Sequence, residues 1–262
     1  MDDIKLTKSP ISVCLIQLRF SPIESLEKVF IPIIQEQYRK KGLPFFEKKK
    51  VQKLYSKSST EFELREEWVF LFYDANKTEL VQILTNEFDF HVYSYPGYEE
   101  VKKRYFELLN VFSSICDFNN VSITSLGLRY TNSIEGNEWR EYLDSKFFGV
   151  KVPNKYLKSL NNEFVSAQDI AEVDLGDDDT SLFRVSITQN EKGITIPTNV
   201  ARIEPEKERE GVLITILDLD HIVRFKPGVV IGGMDTYLTK MHDITHDMFF
   251  ELISEKAKKK WH

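Results

Sequence analysis

The stretch Ser125-Leu126-Gly127-Leu128-Arg129-Tyr130-Thr131-Asn132-Ser133-Ile134 decides the fold of this chain. Apolar and polar residues alternate along it, which predicts a β-strand within residues 121–134 whose successive side chains point to opposite faces of a sheet. The predicted faces are Leu126, Leu128, Tyr130 and Asn132 on one side, and Gly127, Arg129, Thr131 and Ser133 on the other. Arg129 therefore points away from Tyr130 and Asn132.

Hydrophobic periodicity predicts further strands and helices on both sides of this stretch. The predicted strands are 11–20, 54–64, 68–73, 80–84, 88–93, 165–173, 182–189, 193–198 and 212–225. The predicted helices are 26 (or 30) to 41, 98–117, 137–146, 153–164 and 234–258, and residues 176–179 read as a turn. Strand 11–20 is apolar on both faces, which places it in the middle of a sheet.

Each half of the chain has aromatic-rich strands followed by one long amphipathic helix. This order predicts an α+β fold in which antiparallel sheets pack under long helices. The repetition of this order suggests two similar β-β-α halves, and a helix-grip-like arrangement is the alternative. The halves would be residues 1–135 and 136–262, joined in one compact unit.

Composition excludes several functions. The 262 residues include 35 basic and 41 acidic side chains, and this mildly acidic balance argues against general binding of nucleic-acid backbones. Only 11 residues are glycine, and no P-loop, Rossmann or nucleophile-elbow motif occurs. Phosphoryl transfer, Rossmann redox chemistry and serine hydrolysis are therefore not expected. The N-terminus has no apolar signal region and no apolar run is long enough for a bilayer, so we expect a cytoplasmic protein without membrane contact.

Three features of the sequence have ordinary structural explanations. Cys14 and Cys116 lie in apolar patterns and are expected to be buried, reduced thiols. The lysine runs at 48–50 and 256–260 could bind nucleic acid or an acidic partner, but solvated lysines explain them as well. The acidic cluster around 174–179 lacks the spacing of a calcium loop and reads as turn chemistry.

Arg129, Tyr130 and Asn132 are the candidate ligand-binding residues. An arginine in an apolar strand needs a carboxylate or several carbonyl groups if it is buried. One hypothesis is an anion or carboxylate clamp in a cavity. The other is a structural ion pair that joins the sheet to a helix.

His242 and His246 are four residues apart on the last predicted helix, which is the spacing of a helical metal site. Asp220 is the third ligand of that alternative, with Asp218 and His221 as other choices. The competing interpretation is two half-exposed histidines that pack beside Phe249. Because a stable site needs three or four ligands, we expect no metal and no other cofactor.

Three motifs resemble a sporadically distributed bacterial family of unknown function. They are Ser9-Pro10-Ile11 before a strand that ends in Arg19-Phe20, the central Leu126–Asn132 motif, and a last helix with Leu238, Met241-His242 and Phe249. The resemblance covers nearly the whole chain. It implies a stand-alone bacterial protein and supplies no activity. Ser12 differs from the acidic residue common in the family, and Tyr98-Glu99 from its Tyr-x-x-Trp pattern.

We expect a non-enzymatic interaction protein that binds another protein. The family's sporadic distribution suggests a bacterial defence or toxin–antitoxin-like module. The alternative is a binder of a small anionic ligand, or an enzyme, with a pocket around Arg129 and Asn132. A deep polar pocket would favour the alternative, and exposed apolar surface would favour the interaction protein.

Overall fold

The structure is a computed structural model, and it describes residues 8–56, 62–136, 139–144, 166–175, 180–197, 200–204, 206–226, 229 and 231–262. The helix predicted at 153–164 and the turn predicted at 176–179 lie outside these residues. None of the helices in the described ranges is long and apolar enough to cross a membrane.

Within the described residues nine strands form one antiparallel sheet, which confirms the predicted α+β fold. They are β1 (Ile11–Phe20), β2 (Phe45–Ser56), β3 (Phe62–Tyr73), β4 (Glu79–Leu84), β5 (Glu87–Val92), β6 (Ile123–Glu135), β7 (Ser166–Asp174), β8 (Thr180–Asn190) and β9 (Ile214–Arg224). Their order across the sheet is β2-β3-β4-β5-β1-β6-β9-β8-β7. As predicted, β1 is central: it is the fifth of the nine strands.

Five α-helices of the described ranges accompany the sheet. They are α1 (Ile31–Lys40), α2 (Tyr98–Ile115), α3 (Trp139–Tyr142), α4 (Met234–Leu252) and α5 (Glu255–Trp261). A π-helical turn, Leu26–Phe30, leads into α1, whose Pro32 occupies a first-turn position where no N–H bond is lost.

Three predicted elements are corrected by the structure. Residues 193–197 form no strand, because β8 already pairs with β7 on one side and β9 on the other. The irregular strand predicted at 54–64 belongs to two longer strands, β2 and β3. The last helix is two helices, since the backbone leaves the helix at Ile253 and Ser254 caps α5 by accepting a hydrogen bond from the Ala257 N–H.

All five helices pack on one face of the sheet, which we call the helix face. On the N-terminal strands this face buries Cys14, Ile16, Leu18, Phe70, Phe72, Phe88 and Phe90 against α1 and α2. On β8 and β9 it buries Phe183, Ile187, Leu217 and Leu219 against α3, α5 and the end of α4. The alternation of apolar residues that predicted the strands thus supplies one continuous helix-covered side.

The opposite face is crossed by residues 193–197 and 200–204, and we call it the loop face. The Thr195 carbonyl accepts hydrogen bonds from Ser133 on β6 (2.7 Å) and from Ser12 (3.0 Å), which sits at a bulge of β1. The Ala201 carbonyl accepts from Tyr93 (2.7 Å). Ala201 and Ile203 then pack on Val69, Leu71, Leu80 and Leu84. Residues 193–197 therefore contact the middle of the sheet, and residues 200–204 contact its N-terminal strands.

Candidate functional site

Four charged side chains line up on the loop face across β6, β9 and β8. Arg129 donates two hydrogen bonds of 2.8 Å to Asp218, one from Nε and one from Nη2. Thr131 also donates to Asp218, at 3.1 Å. Arg184 of β8 pairs with Asp220 of β9. We call Arg129, Asp218, Arg184 and Asp220 the charged quartet.

Three of the four members of the quartet are buried, and Arg129 is only 9% exposed, whereas the Arg184 side chain is 39% exposed. Burial lowers the pKa of the Arg129 guanidinium, but its hydrogen bonds to Asp218 and the charges of Asp218 and Asp220 outweigh burial and raise that pKa overall. Burial raises the pKa of the Asp220 carboxyl, although Arg184 and Arg129 oppose the shift. Each guanidinium therefore lies against a carboxyl group of β9.

A cavity of about 210 Å³ opens beside the quartet. Its lining consists of Arg129, Gln168, Arg184, Ser186, Thr188, Pro197, Ile216 and Asp218. Polar hydrogen-bonding groups dominate this lining, and Pro197 of the segment 193–197 forms one wall. The cavity can therefore hold a small molecule that carries several polar groups.

The structure separates Arg129 from Tyr130 and Asn132, which lie on the helix face. The Tyr130 hydroxyl is 3.0 Å from Nδ1 of His242 on α4. The Asn132 side chain donates to the Leu217 carbonyl at 3.2 Å. The three predicted ligand residues therefore do not meet in one cavity. Arg129 pairs with Asp218 of the neighbouring strand β9, so this ion pair joins strand to strand, whereas we expected one between sheet and helix.

The candidate metal ligands are also divided by the sheet. His242 stacks on Tyr98 with ring centroids 3.6 Å apart, and its ring centroid is 5.9 Å from that of His246. Asp220 lies on the loop face, on the other side of the sheet from α4. Within the described ranges, no group of three His, Cys, Asp or Glu side chains is placed to hold a metal ion.

A buried serine–histidine pair, Ser181 and His221, was missed in the sequence. Ser181 Oγ lies 2.8 Å from Nε2 of His221, whose Nδ1 is 3.3 Å from the Met241 carbonyl. Burial lowers the pKa of His221 to about 4, so the ring is neutral and a weak base at pH 7. Both residues are sealed in the interior (2% and 0% exposed). The pair therefore ties β8 and β9 to α4 and has no route to a substrate.

His91 on β5 is the most unusual polar residue of the loop face. It is 2% exposed, and neither ring nitrogen has a hydrogen-bond partner among the described residues. Burial, followed by the nearby positive charge of Arg129, lowers its pKa to about 3. The side chain is consequently neutral at pH 7. No pattern in the sequence distinguishes His91 from an ordinary strand histidine.

Exposed apolar side chains concentrate at the two ends of the sheet. Seven large hydrophobic residues of the described ranges are exposed, and five of them lie on the two outermost strands at either end: Phe45, Leu64, Trp68, Ile170 and Leu182. The outer strands β2 and β7 each leave one side of the backbone without a neighbouring strand in the described part of the chain. Such edges are where other chains can add a strand.

The lysine run forms part of β2 and is already ion-paired. Lys48 contacts Glu27 (2.5 Å) and lies 3.9 Å from the ring centroid of Trp68. Lys49 pairs with Glu47 and Lys50 with Glu66, at 2.7 and 3.1 Å. These pairs lower the local positive charge that a nucleic-acid surface would need.

The two buried cysteines have raised thiol pKa values, which burial explains; that of Cys116 is about 12. Neither is a thiolate near neutral pH, so neither is a ready nucleophile. A comparison with known proteins finds no family model and no curated protein that matches this chain. The resemblance of Leu126–Asn132 to a bacterial family stays a prediction.

Proposed function

We propose that this chain is a non-enzymatic interaction protein that binds another protein through the outer strands of its sheet. The observation that carries the proposal is the concentration of exposed hydrophobic side chains on β2–β3 and β7–β8. Exposed apolar groups gathered at an open strand edge are typical of surfaces that bind a partner.

The chemistry of the interior supports a non-enzymatic role. The thiols are buried and protonated, the Ser181–His221 pair is sealed, and the quartet residues are paired with one another. None of these groups is presented to a substrate as an activated nucleophile or general base.

Paired surface variants test the proposal. An affinity-tagged chain is used to capture partners from its source cells, alongside Ile170→Ser/Leu182→Ser, Leu64→Ser/Trp68→Ser and the control Val29→Ser/Ile33→Ser. The control residues are equally exposed but lie on the π-helical turn and α1. We expect one outer-strand variant to lose a partner that the control retains. A partner that all three variants retain would contradict the proposal.

Binding of a small polar ligand in the cavity is a second candidate function, favoured by the cavity beside the quartet. The two guanidiniums are balanced by two carboxylates, so a simple anion would have to compete with Asp218 and Asp220. The hydroxyls of Ser186 and Thr188 and the Gln168 amide suit a neutral ligand with several hydroxyl groups.

Ligand-observed NMR distinguishes these chemistries. Saturation transfer to myo-inositol that disappears in Ser186→Ala/Thr188→Val would support the neutral ligand. Protection of the protein by sodium sulfate, and not by sodium chloride of equal ionic strength, would support the anion instead. No response to either probe would argue against the cavity as a binding site.

A further inference from the structure

We infer that the outer edge of β7 binds an extended, basic segment of a partner protein as a tenth strand. This inference rests on the proposed function and identifies the partner's chemistry. The sequence of β7, Ser166–Asp174, contains three acidic residues and no basic one. Gln168 to Glu172 are all exposed, and no strand in the described part of the chain pairs with this edge.

The backbone of β7 shows which groups face outward. The Ile170 N–H donates to the Asp169 carboxylate at 2.9 Å, so this N–H points away from β8. An incoming strand can replace that bond with a carbonyl acceptor and leave the carboxylate for a cation. The backbone hydrogen bonds between β7 and the incoming strand would then continue the sheet, which is the usual mode of strand addition.

The pattern of side chains along the edge specifies the partner. Ile170 and Glu172 point to the loop face, since they stand opposite Arg184 and Leu182 on β8, whereas Asp169 points to the helix face. Directly opposite residues form the pairs that stabilise a sheet. An antiparallel partner strand would therefore place basic residues opposite Glu172 and Asp169 and an apolar residue opposite Ile170. Read from its N-terminus, its motif is basic, any residue, apolar, basic.

The topology argues that the occupant is not a second copy. All neighbouring strands are antiparallel, and β2 and β7 are the first and ninth strands, so they run in the same direction. If the helices of both copies lie on the same side of a joined sheet, an antiparallel junction can form only between two β7 edges or between two β2 edges. Like edges carry like charges: acids on β7 and lysines on β2. Joining β7 to β2 would give a parallel pair, which is the less stable geometry.

A labelled peptide tests the inference on the full chain. The probe is fluorescein-labelled Ser-Thr-Lys-Thr-Val-Lys-Thr-Ser, and its control replaces both lysines by glutamate. Fluorescence anisotropy is measured against the parent, Asp169→Lys/Glu172→Lys, and Glu24→Lys/Glu99→Lys, which changes the net charge equally at exposed sites away from the sheet edge. We expect the β7 variant to weaken binding of the lysine peptide by about tenfold or more. The Glu24/Glu99 variant should bind like the parent.

The outcomes separate this inference from the proposed function. Binding of the glutamate peptide, and not of the lysine peptide, to Asp169→Lys/Glu172→Lys would confirm the charge pairing. Ile170→Thr should weaken the binding of the lysine peptide to the parent and of the glutamate peptide to the charge-reversed variant. Equal loss in the two charge-reversed variants, or no binding of the lysine peptide, would overturn the basic strand while partner capture through Ile170 and Leu182 could still hold. Self-association of the parent at low salt, abolished in Asp169→Lys/Glu172→Lys, would replace the foreign strand with a second copy.

Discussion

The two halves of the chain follow the same path but differ on the loop face. Each begins with a central strand, β1 or β6, passes through a helix to an outer strand, returns strand by strand to the centre and ends in a long helix. In the N-terminal half the loop face carries an apolar cluster, Val69, Leu71, Leu80 and Leu84, which packs against Ala201 and Ile203. Three buried polar residues, Glu87, Asp89 and His91, lie on the same face of β5. In the C-terminal half it carries the charged quartet and the cavity.

This difference shows that one topology can serve two purposes. The apolar cluster stabilises the N-terminal half by removing its side chains from water. The quartet contributes less, because desolvation of its charges offsets their attraction. A half that keeps charged pairs where apolar side chains would fit retains hydrogen-bonding groups that can be offered to a ligand.

The largest expected effect comes from removing the long helices of the C-terminal half. A chain ending at Gly233 loses Met234, Leu238, Met241 and Leu252, all buried, and each large apolar side chain is worth roughly 1.5–3 kcal/mol. Their sum is comparable to the whole free energy of unfolding of a typical protein, about 5–15 kcal/mol. We expect no cooperative thermal transition by circular dichroism. A cooperative melt of this chain would show that the halves fold independently.

Breaking the Arg129–Asp218 pair of the quartet is expected to cause the second-largest loss of stability. Arg129→Met removes both hydrogen bonds that the buried Asp218 carboxylate accepts from Arg129 and leaves it the Thr131 hydroxyl as a side-chain donor in the described part of the chain. Such losses cost about 3–5 kcal/mol. Arg129→Met/Asp218→Leu should recover much of that loss, since it removes both charges. Urea denaturation measures the free energy of unfolding of each variant. A single variant that unfolds like the parent but loses myo-inositol binding would instead assign Arg129 to ligand binding.

Low pH is expected to reduce the stability of the protein through two buried histidines, His91 and His221. Both pKa values lie below the ordinary 6.5, at about 3 and about 4, because burial disfavours the charged ring. Between pH 6.5 and these values the unfolded chain binds protons that the folded chain does not, so stability falls as pH falls. The total effect is of order 3–5 kcal/mol for each histidine.

Matched variants test that assignment by urea denaturation at pH 7 and pH 4.5. His91→Leu breaks no hydrogen bond, so it should keep or raise stability at pH 7 and reduce the acid sensitivity. His221→Leu should cost about 1 kcal/mol at pH 7, because Ser181 and the Met241 carbonyl lose a partner. Equal pH dependence in the parent and both variants would exclude the histidines as its cause.

The smallest effect is expected at Lys49. Its pair with Glu47 is exposed on β2, and exposed pairs are worth little. Lys49→Met should change stability by no more than about 0.5 kcal/mol. A thermal melt checks this beside Arg129→Met, and a larger loss would mean that the lysines of β2 hold this edge of the sheet in place.

The sequence was a good guide to faces and a poor guide to partners. Strict alternation in Leu126–Asn132 predicted that Arg129 points away from Tyr130, and the structure confirms it. The partner of Arg129 is 89 residues away on β9, and no local pattern encodes that register. The candidate site therefore required the sheet order, which places Asp218 and Asp220 beside β6.

Misplaced boundaries have local causes. The lysines of β2 hide the alternation that marks a strand, although Phe45–Ser56 is one of the longest strands. Residues 193–197 have strand-like composition, but both sides of β8 are occupied. The break between α4 and α5 did carry a signal: Ser254 followed by Glu255 is an N-cap with an acidic first turn.

The central position of β1 has a consequence for synthesis on the ribosome. Its partner β5 ends at Val92, so the first five strands can assemble early, but its second partner, β6, begins only at Ile123. Until β6 emerges, β1 is an apolar strand with one open side, and such a strand favours aggregation. At about 5–20 residues per second, the interval lasts on the order of seconds. The nascent chain is therefore most vulnerable while α2 is being made, and a pause there would lengthen the exposure.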